Sequence, residues 1–319
     1  MGAGSDPRRR PERHRATAMA EQFCDVGRGI TLCYEEFGDP TAPPMLLIMG
    51  LGTQMIGWPD EFCQQLAARG FHVVRFDNRD SGRSTHIEGA PPPLGQLVRR
   101  RIDPVLYTLS DMADDALGLM RALELEPAHV VGASMGGMIA QTLAFEHPQS
   151  VRSLVSIMST TGSRWTGQPA LGLYRYLLRR APEDRDGFIE HLVKVFAAIG
   201  SRGLPQDTER VRDVAARSYD RGHDPSASGR QLGAITASGN RTPKLGRISA
   251  PTLVIHGTTD RLVRPSGGRA TAKAIPGARL LRIEGMGHDL PQAAWPQLIE
   301  AIAAQAQATA ALTPAGSPQ

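Results

Sequence analysis

The chain has 319 residues, 41% of them hydrophobic and 21% charged, which suits one large globular domain or two small ones. No apolar run approaches the roughly 18 residues that a membrane-spanning helix needs. The net charge of +4 is local: Arg8, Arg9, Arg10, Arg13 and Arg15 lie in the first fifteen residues, and without those five the balance would be −1, so the folded part makes no case for nucleic acid or another polyanion.

Residues 1–20 are expected to form a disordered basic extension. They lack the apolar segment of a secretory signal and faintly resemble a transit peptide. Structured sequence begins just after Met19, which makes Met19 a candidate translation start beside Met1. Cys24, Cys33 and Cys63 are odd in number and form no C-x-x-C pair, as expected of structural thiols in a reducing compartment; cytoplasm is the expected address.

From there, residues 30–38 alternate apolar and polar like an edge strand, and Gly38-Asp39-Pro40 follows as a turn. Met45–Met49 is a continuous apolar run, as in a strand buried on both faces, and it ends in the loop Gly50-Leu51-Gly52-Thr53. A helix is predicted from Pro59 to Ala68, then a buried strand over 72–77 closed by 78–84. Leu109-Ser110-Asp111 opens a helix to about Leu125. His129–Gly132 reads as a short buried strand, followed by a helix that stops near His147-Pro148, and 151–158 as a further strand. Strands alternating with helices predict an α/β fold, a mostly parallel sheet doubly wound with helices on both faces.

Residues 163–245 break that rhythm. They carry helical patterns at 169–180, 184–198 and 207–219 and no convincing strand, so they read as a helical cap inserted over the carboxyl edge of the sheet, between core segments 21–162 and 246–308. The insertion shows no strong apolar face that would suit membrane lipids, and Arg175, Arg179 and Arg180 read as a solvated helix face. Alternation resumes with the strand 251–256, a helix near 266–275, the strand 278–283 and an amphipathic helix over 292–306. Residues 309–319 are expected to be a disordered tail.

The strand, turn and helix around Gly132-Ala133-Ser134-Met135-Gly136 form a G-x-S-x-G nucleophile elbow. A serine hydroxyl is a poor nucleophile at neutral pH and needs a base oriented by a carboxylate. In doubly wound sheets such groups stand on loops at the carboxyl ends of strands. His288, in Gly285-Met286-Gly287-His288-Asp289, meets that requirement. His256 ends a strand and should pack in the sheet, His72 and His129 start strands at the opposite edge, and His147, His191 and His223 lie at helix ends or in the insertion. Asp260 follows the strand 251–256, whereas Asp289 should point away from its neighbour and Asp111, Asp114 and Asp115 are helix-start charges. The order Ser134, Asp260, His288 is that expected of the elbow.

Two backbone donors are expected to face a developing oxyanion, the N–H of Met135 and the N–H of Leu51, with Gly50 letting the chain turn inward; one such donor is worth roughly 3 kcal/mol. Met49, Met55, Met135, Met158 and Met286 fall at carboxyl ends of strands or just beyond, as a soft pocket wall or as core filler. Trp58 borders the oxyanion loop or packs in the core. Gly50, Trp58, Met158 and Met286 are therefore the candidate pocket residues. Neither a metal-ligand cluster nor a phosphate-binding glycine loop is present in the sequence, so no metal and no cofactor is expected.

Over about 25–308 the chain resembles the α/β-hydrolase superfamily. The carriers are the elbow, Phe76-Asp77-Asn78-Arg79-Asp80-Ser81-Gly82-Arg83-Ser84, His256-Gly257-Thr258-Thr259-Asp260 and Gly287-His288. Met49-Gly50-Leu51-Gly52 and Gly57-Trp58-Pro59-Asp60-Glu61-Phe62 look more narrowly like a bacterial branch with aclacinomycin methylesterases and actinobacterial serine esterases. There, as here, methionine replaces the usual histidine before the oxyanion glycine. The resemblance implies an α/β-hydrolase fold and a serine esterase acting on small to medium apolar carboxylic esters, with a small-molecule ester as substrate, no nucleic acid and no integral membrane as partner, and an oligomeric state left open. Ser134 excludes relatives that need an aspartate nucleophile. A carbon–carbon bond hydrolase, a cofactor-free perhydrolase and a non-catalytic ligand-binding module of the same fold remain alternatives.

Overall fold

The structure is a computed structural model and describes residues 20–177 and 179–310. The predicted basic extension up to residue 19, the candidate start Met19 and the tail beyond 310 lie outside the described residues. Eight strands build one sheet: β1 (Gln22–Asp25), β2 (Thr31–Phe37), β3 (Pro44–Ile48), β4 (His72–Phe76), β5 (Ala128–Ala133), β6 (Val151–Ile157), β7 (Thr252–Gly257) and β8 (Arg279–Ile283). Their spatial order is β1-β2-β4-β3-β5-β6-β7-β8. β2 pairs antiparallel with both β1 and β4, and all other pairings are parallel.

Every residue of β4, β5 and β7 is buried, which is why these strands show apolar centres rather than a polar–apolar alternation, with the buried polar residues His72, Arg75, His129 and His256 among them. From β3 the chain crosses to β4 on one side, and from β5 to β6 on the other. The carboxyl ends of β3 and β5 thus flank the point where the winding reverses, the usual ligand crevice of such sheets.

Helices cover both faces. On one, α1 (Asp60–Ala67) and α11 (Trp295–Ala310) bury Phe62, Leu66, Leu298 and Ile302 against the sheet. On the other lie α3 (Leu109–Ala122) and α4 (Met135–Glu146), which bury Met112, Leu119, Ile139 and Leu143. A capping box starts α3: Thr108 Oγ1 accepts the Asp111 N–H while the Asp111 carboxylate accepts the Thr108 N–H. A short helix, α2 (Leu94–Arg99), stands between β4 and α3, and α10 (Ser266–Ala274) packs against β7.

Between β6 and β7 the described chain is helical without a strand: α5 (Tyr174–Leu177), α6 (Arg185–Ile199), α7 (Thr208–Arg221), α8 (Ala227–Ser238) and α9 (Thr242–Leu245). α6 and α7 pack as a pair, and α8 lies on α3, where Ser238 Oγ accepts the Leu109 N–H at 2.8 Å. The helix expected over 169–180 is instead a 3-10 turn (Leu171–Leu173) followed directly by the short α5. α11 continues to Ala310, so residues 309 and 310 are helical rather than part of a tail.

Candidate active site

The site begins with a steric demand at the end of β5. Between the last residue of β5 and the first of α4, Ser134 takes φ 55° and ψ −116°, a strained conformation for a non-glycine residue. Strand and helix nearly touch around it. A Cβ on Gly132 would stand 2.2 Å from the Gly136 carbonyl oxygen, and one on Gly136 would stand 2.0 Å from that of Ile48. The turn is held by the Ser134 N–H on Ile157 O (2.9 Å) and by Ser159 Oγ donating to Ser134 O (2.8 Å).

The structure brings Ser134, His288 and Asp260 together, each from the end of a different strand. His288 Nε2 lies 2.9 Å from Ser134 Oγ, and its Nδ1 lies 2.7 Å from Asp260 Oδ2. The other oxygen of Asp260 accepts the N–H groups of Leu262 and Val263, both at 2.9 Å. A carboxylate so placed accepts from Nδ1–H, which leaves Nε2 as the acceptor for the serine hydroxyl. Burial pushes the Asp260 carboxyl up, but the His288 charge and the hydrogen bonds from His256 and His288 outweigh it and hold the group below its ordinary value.

His256 packs in β7 as expected. Its Nε2 donates to Val263 O at 2.7 Å and also stands 3.4 Å from Asp260 Oδ2, a proximity the sequence reading missed. Asp289 turns away from the imidazole: Ser201 Oγ, on the loop after α6, donates to it at 2.6 Å and accepts the Gly287 N–H at 2.9 Å. Burial pushes the Asp289 carboxyl up. The His288 backbone is fixed as well, through its N–H on Ile199 O at 2.9 Å.

The loop after β3 closes on the serine. A Cβ on Gly50 would lie 3.1 Å from Ser134 Cβ, so Leu51 and Met135 flank the nucleophile on two separate backbone segments. The Met135 N–H is among the first of α4 and has no acceptor one turn back. Asn78 Nδ2 donates to Met49 O at 3.0 Å, and the Gly52 N–H donates to Gln231 Oε1 at 2.8 Å. Gln231, fully buried on α8, uses Nε2 for Arg79 O (2.9 Å) and Ser81 Oγ (3.1 Å). Sequence reasoning missed it, since nothing local to α8 marks a residue whose partners are so distant in the chain.

Ser134 and His288 open into a cleft of about 1760 Å³. Gly50, Leu51, Met135 and Met158 line it, as does Met138, one turn after the serine and so on the same side of α4. Trp58 and Met286, expected in the pocket, do not line it. Trp58 is fully buried against Phe62 (ring centroids 5.6 Å apart), which in turn meets Trp295. Met286 is equally buried in the same apolar layer, and Met55 packs beside Cys33. Burial in these apolar layers, not exposure to the cleft, is what their side chains have in common.

Among the described residues, Asp80, His86 and Asp224 are close enough together to suggest metal ligands. The Arg230 guanidinium already bridges the two carboxylates, bonding Asp80 Oδ1 at 2.6 Å and also Asp224 Oδ2, and it supplies the positive charge a cation would bring.

The sequence profile of the α/β-hydrolase fold matches residues 43–291. A rhodomycin D methylesterase of Streptomyces sp. strain C5 is 31% identical over 300 residues, which cover 88% of this chain and 96% of that protein. The rhodomycin D methylesterase of Streptomyces peucetius matches with the same identity and coverage. Among solved structures, an enol-lactonase from Burkholderia xenovorans LB400 superposes with a TM-score of 0.67 at 23% identity, covering 91% of this chain and 100% of its own, a likeness of fold.

Proposed function

The chain belongs to the α/β-hydrolase family, and from that premise we propose that it hydrolyses carboxylic esters through an acyl-enzyme on Ser134. The observation that carries this reading is the hydrogen-bonded chain from Ser134 Oγ through His288 to Asp260 at the floor of a methionine-lined cleft. In the mechanism, Ser134 Oγ attacks the ester carbonyl as His288 Nε2 takes its proton. Asp260 keeps the other ring nitrogen protonated and favours the imidazolium. The N–H groups of Leu51 and Met135 stabilise the oxyanion. Collapse expels the alcohol, which takes the proton from His288. Water then attacks the acyl carbon with His288 again as base, and the acid leaves.

The named relatives support a methyl ester, and a cleft of about 1760 Å³ has room for a bulky acid part, more than the small to medium esters expected from sequence. Within this reading, residues 163–245 act as the cap and segments 21–162 and 246–308 as the catalytic core. The helices of the insertion support it, for they contribute Leu192, Val214 and Ala227 to the cleft opposite Ser134.

The test is hydrolysis of p-nitrophenyl esters from acetate to palmitate, and of methyl esters of bulky carboxylic acids, with Ser134→Ala measured in parallel. Turnover should fall by about 10³-fold or more in the variant, as for loss of a triad nucleophile. A folded protein silent on every ester, or one whose activity survives Ser134→Ala, would rule the reading out.

A further inference from the structure

Large apolar side chains that face solvent are concentrated on one side of this molecule. Eight such residues occur among the described ones, and all but Phe23 fall in two segments. Leu94, Val98, Val105 and Leu106 belong to α2 and the loop after it. Trp165, Leu171 and Tyr174 belong to the stretch leading into the insertion, with Trp165 85% and Leu171 86% exposed. Arg100 ties the segments together by donating to Gly162 O at 3.3 Å and Gln168 Oε1 at 3.2 Å. Both border the mouth of the cleft, to which Val98 and Tyr174 contribute.

The charges on this rim are predominantly positive, with Asp103 the one acid between Leu94 and Leu106. Residues 90–102 and 163–181 contain no Asp or Glu, whereas Arg99, Arg100 and Arg101 follow Val98, and Arg164 and Arg175 flank the Trp165 and Leu171 positions. Among the described residues none of these five arginines pairs with a carboxylate. No strong apolar face is legible in the sequence of the insertion; the rim becomes visible in the fold, where Leu94, Val98, Val105 and Leu106 from before the insertion join Trp165, Leu171 and Tyr174 within it.

We propose that this rim docks on the surface of an anionic phospholipid bilayer. Exposed aromatic and branched side chains enter the headgroup region, and arginines among them meet lipid phosphates. A bilayer suits an irregular surface that a rigid partner would have to match in shape. A second copy suits it poorly, because a two-fold contact would set like arginines against one another. Docking stands on the rim alone; that the cleft then draws its ester from the bilayer rests on the reaction proposed above.

Trp165 is its own reporter, since the other two tryptophans, Trp58 and Trp295, are buried. The full chain is titrated with vesicles of phosphatidylcholine alone and of phosphatidylcholine mixed with phosphatidylglycerol, reading tryptophan emission and flotation. We expect a blue shift and flotation with the anionic vesicles, both weakened by salt. Arg101→Glu with Arg175→Glu should weaken partitioning by more than about 25-fold, at roughly fivefold for each arginine lost. Trp165→Ser with Leu171→Ser should abolish flotation, while hydrolysis of the water-soluble p-nitrophenyl acetate stays unchanged in both variants. The proposal is overturned by any of four results: no shift at millimolar anionic lipid, equal partitioning onto phosphatidylcholine alone, flotation that ignores the rim variants, or a dimer in gel filtration that Trp165→Ser with Leu171→Ser dissociates.

Discussion

Asp260 commits both of its oxygens within the site. Oδ1 receives two backbone N–H groups of its own loop, and Oδ2 receives the His288 ring. In Asp260→Asn the amide oxygen can still satisfy the loop, so the fold should persist. The NH₂ group then faces Nδ1, which can only accept from it. The ring proton moves to Nε2, and Ser134 loses its base. A kcat lower by about 10⁴-fold with an unchanged denaturation midpoint is the expected result. Activity within tenfold of the parent would show that another carboxylate does the work. At this scale the sequence is informative where a residue's role follows from its place beside a strand end, as for Ser134, Asp260 and His288. It is uninformative about which buried side chain at a strand end also reaches the cleft: Met158 and Met286 pack in the same apolar layer, yet only Met158 borders the cleft.

At the scale of elements, local signals identify those whose stability is local or whose burial is complete. β4, β5 and β7 are buried throughout and β3 almost so, each with an apolar centre, and α3 carries its own capping box. β1 is only half buried, and α2 buries no residue at all, so neither has a pattern to read. α8 is hidden for a different reason. Its glycines are set by neighbours far away in sequence: a Cβ on Gly229 would stand 2.6 Å from Pro91, and one on Gly233 2.9 Å from Pro92. The same helix delivers Gln231 to the oxyanion loop across 179 residues of chain. Gln231→Leu removes the acceptor for Gly52 N–H and leaves the Arg79 carbonyl with one bond fewer. Because that loop carries the Leu51 donor, kcat should fall about tenfold or more with KM little changed, a fraction of the 10²–10³ lost when an oxyanion donor is removed outright. Equal changes in kcat and stability with no kinetic asymmetry between kcat and KM would make Gln231 a packing residue only.

For the molecule as a whole, the insertion is joined to the sheet by buried charge as well as by apolar contacts such as Ala234 and Leu245. Arg221 at the end of α7 bonds Asp77 Oδ2 at 2.8 Å, and Arg230 on α8 bonds Asp80 Oδ1 at 2.6 Å; both carboxylates lie on the loop that follows β4. Asp77 also accepts the Met55 N–H at 2.7 Å, and Asp80 accepts the Tyr107 hydroxyl at 2.6 Å, so each arginine neutralises a charge on which core elements converge. Burial of such a pair gains little over an apolar pair of the same shape, but removing one partner leaves a carboxylate without compensation in a dry site. Arg230→Met keeps most of the side-chain volume and removes only the cation. It should therefore destabilise the protein by about 3–5 kcal/mol, read as a lower urea midpoint with an unchanged slope. A loss below about 1 kcal/mol would mean that water reaches Asp80 and that the insertion is held elsewhere. The same variant separates stability from catalysis, because Arg230 touches neither Ser134 nor the loop at Gly52: at a temperature where it remains folded, its turnover of a soluble ester should stay near that of the parent, whereas its neighbour Gln231, one residue along the same helix, should affect turnover first.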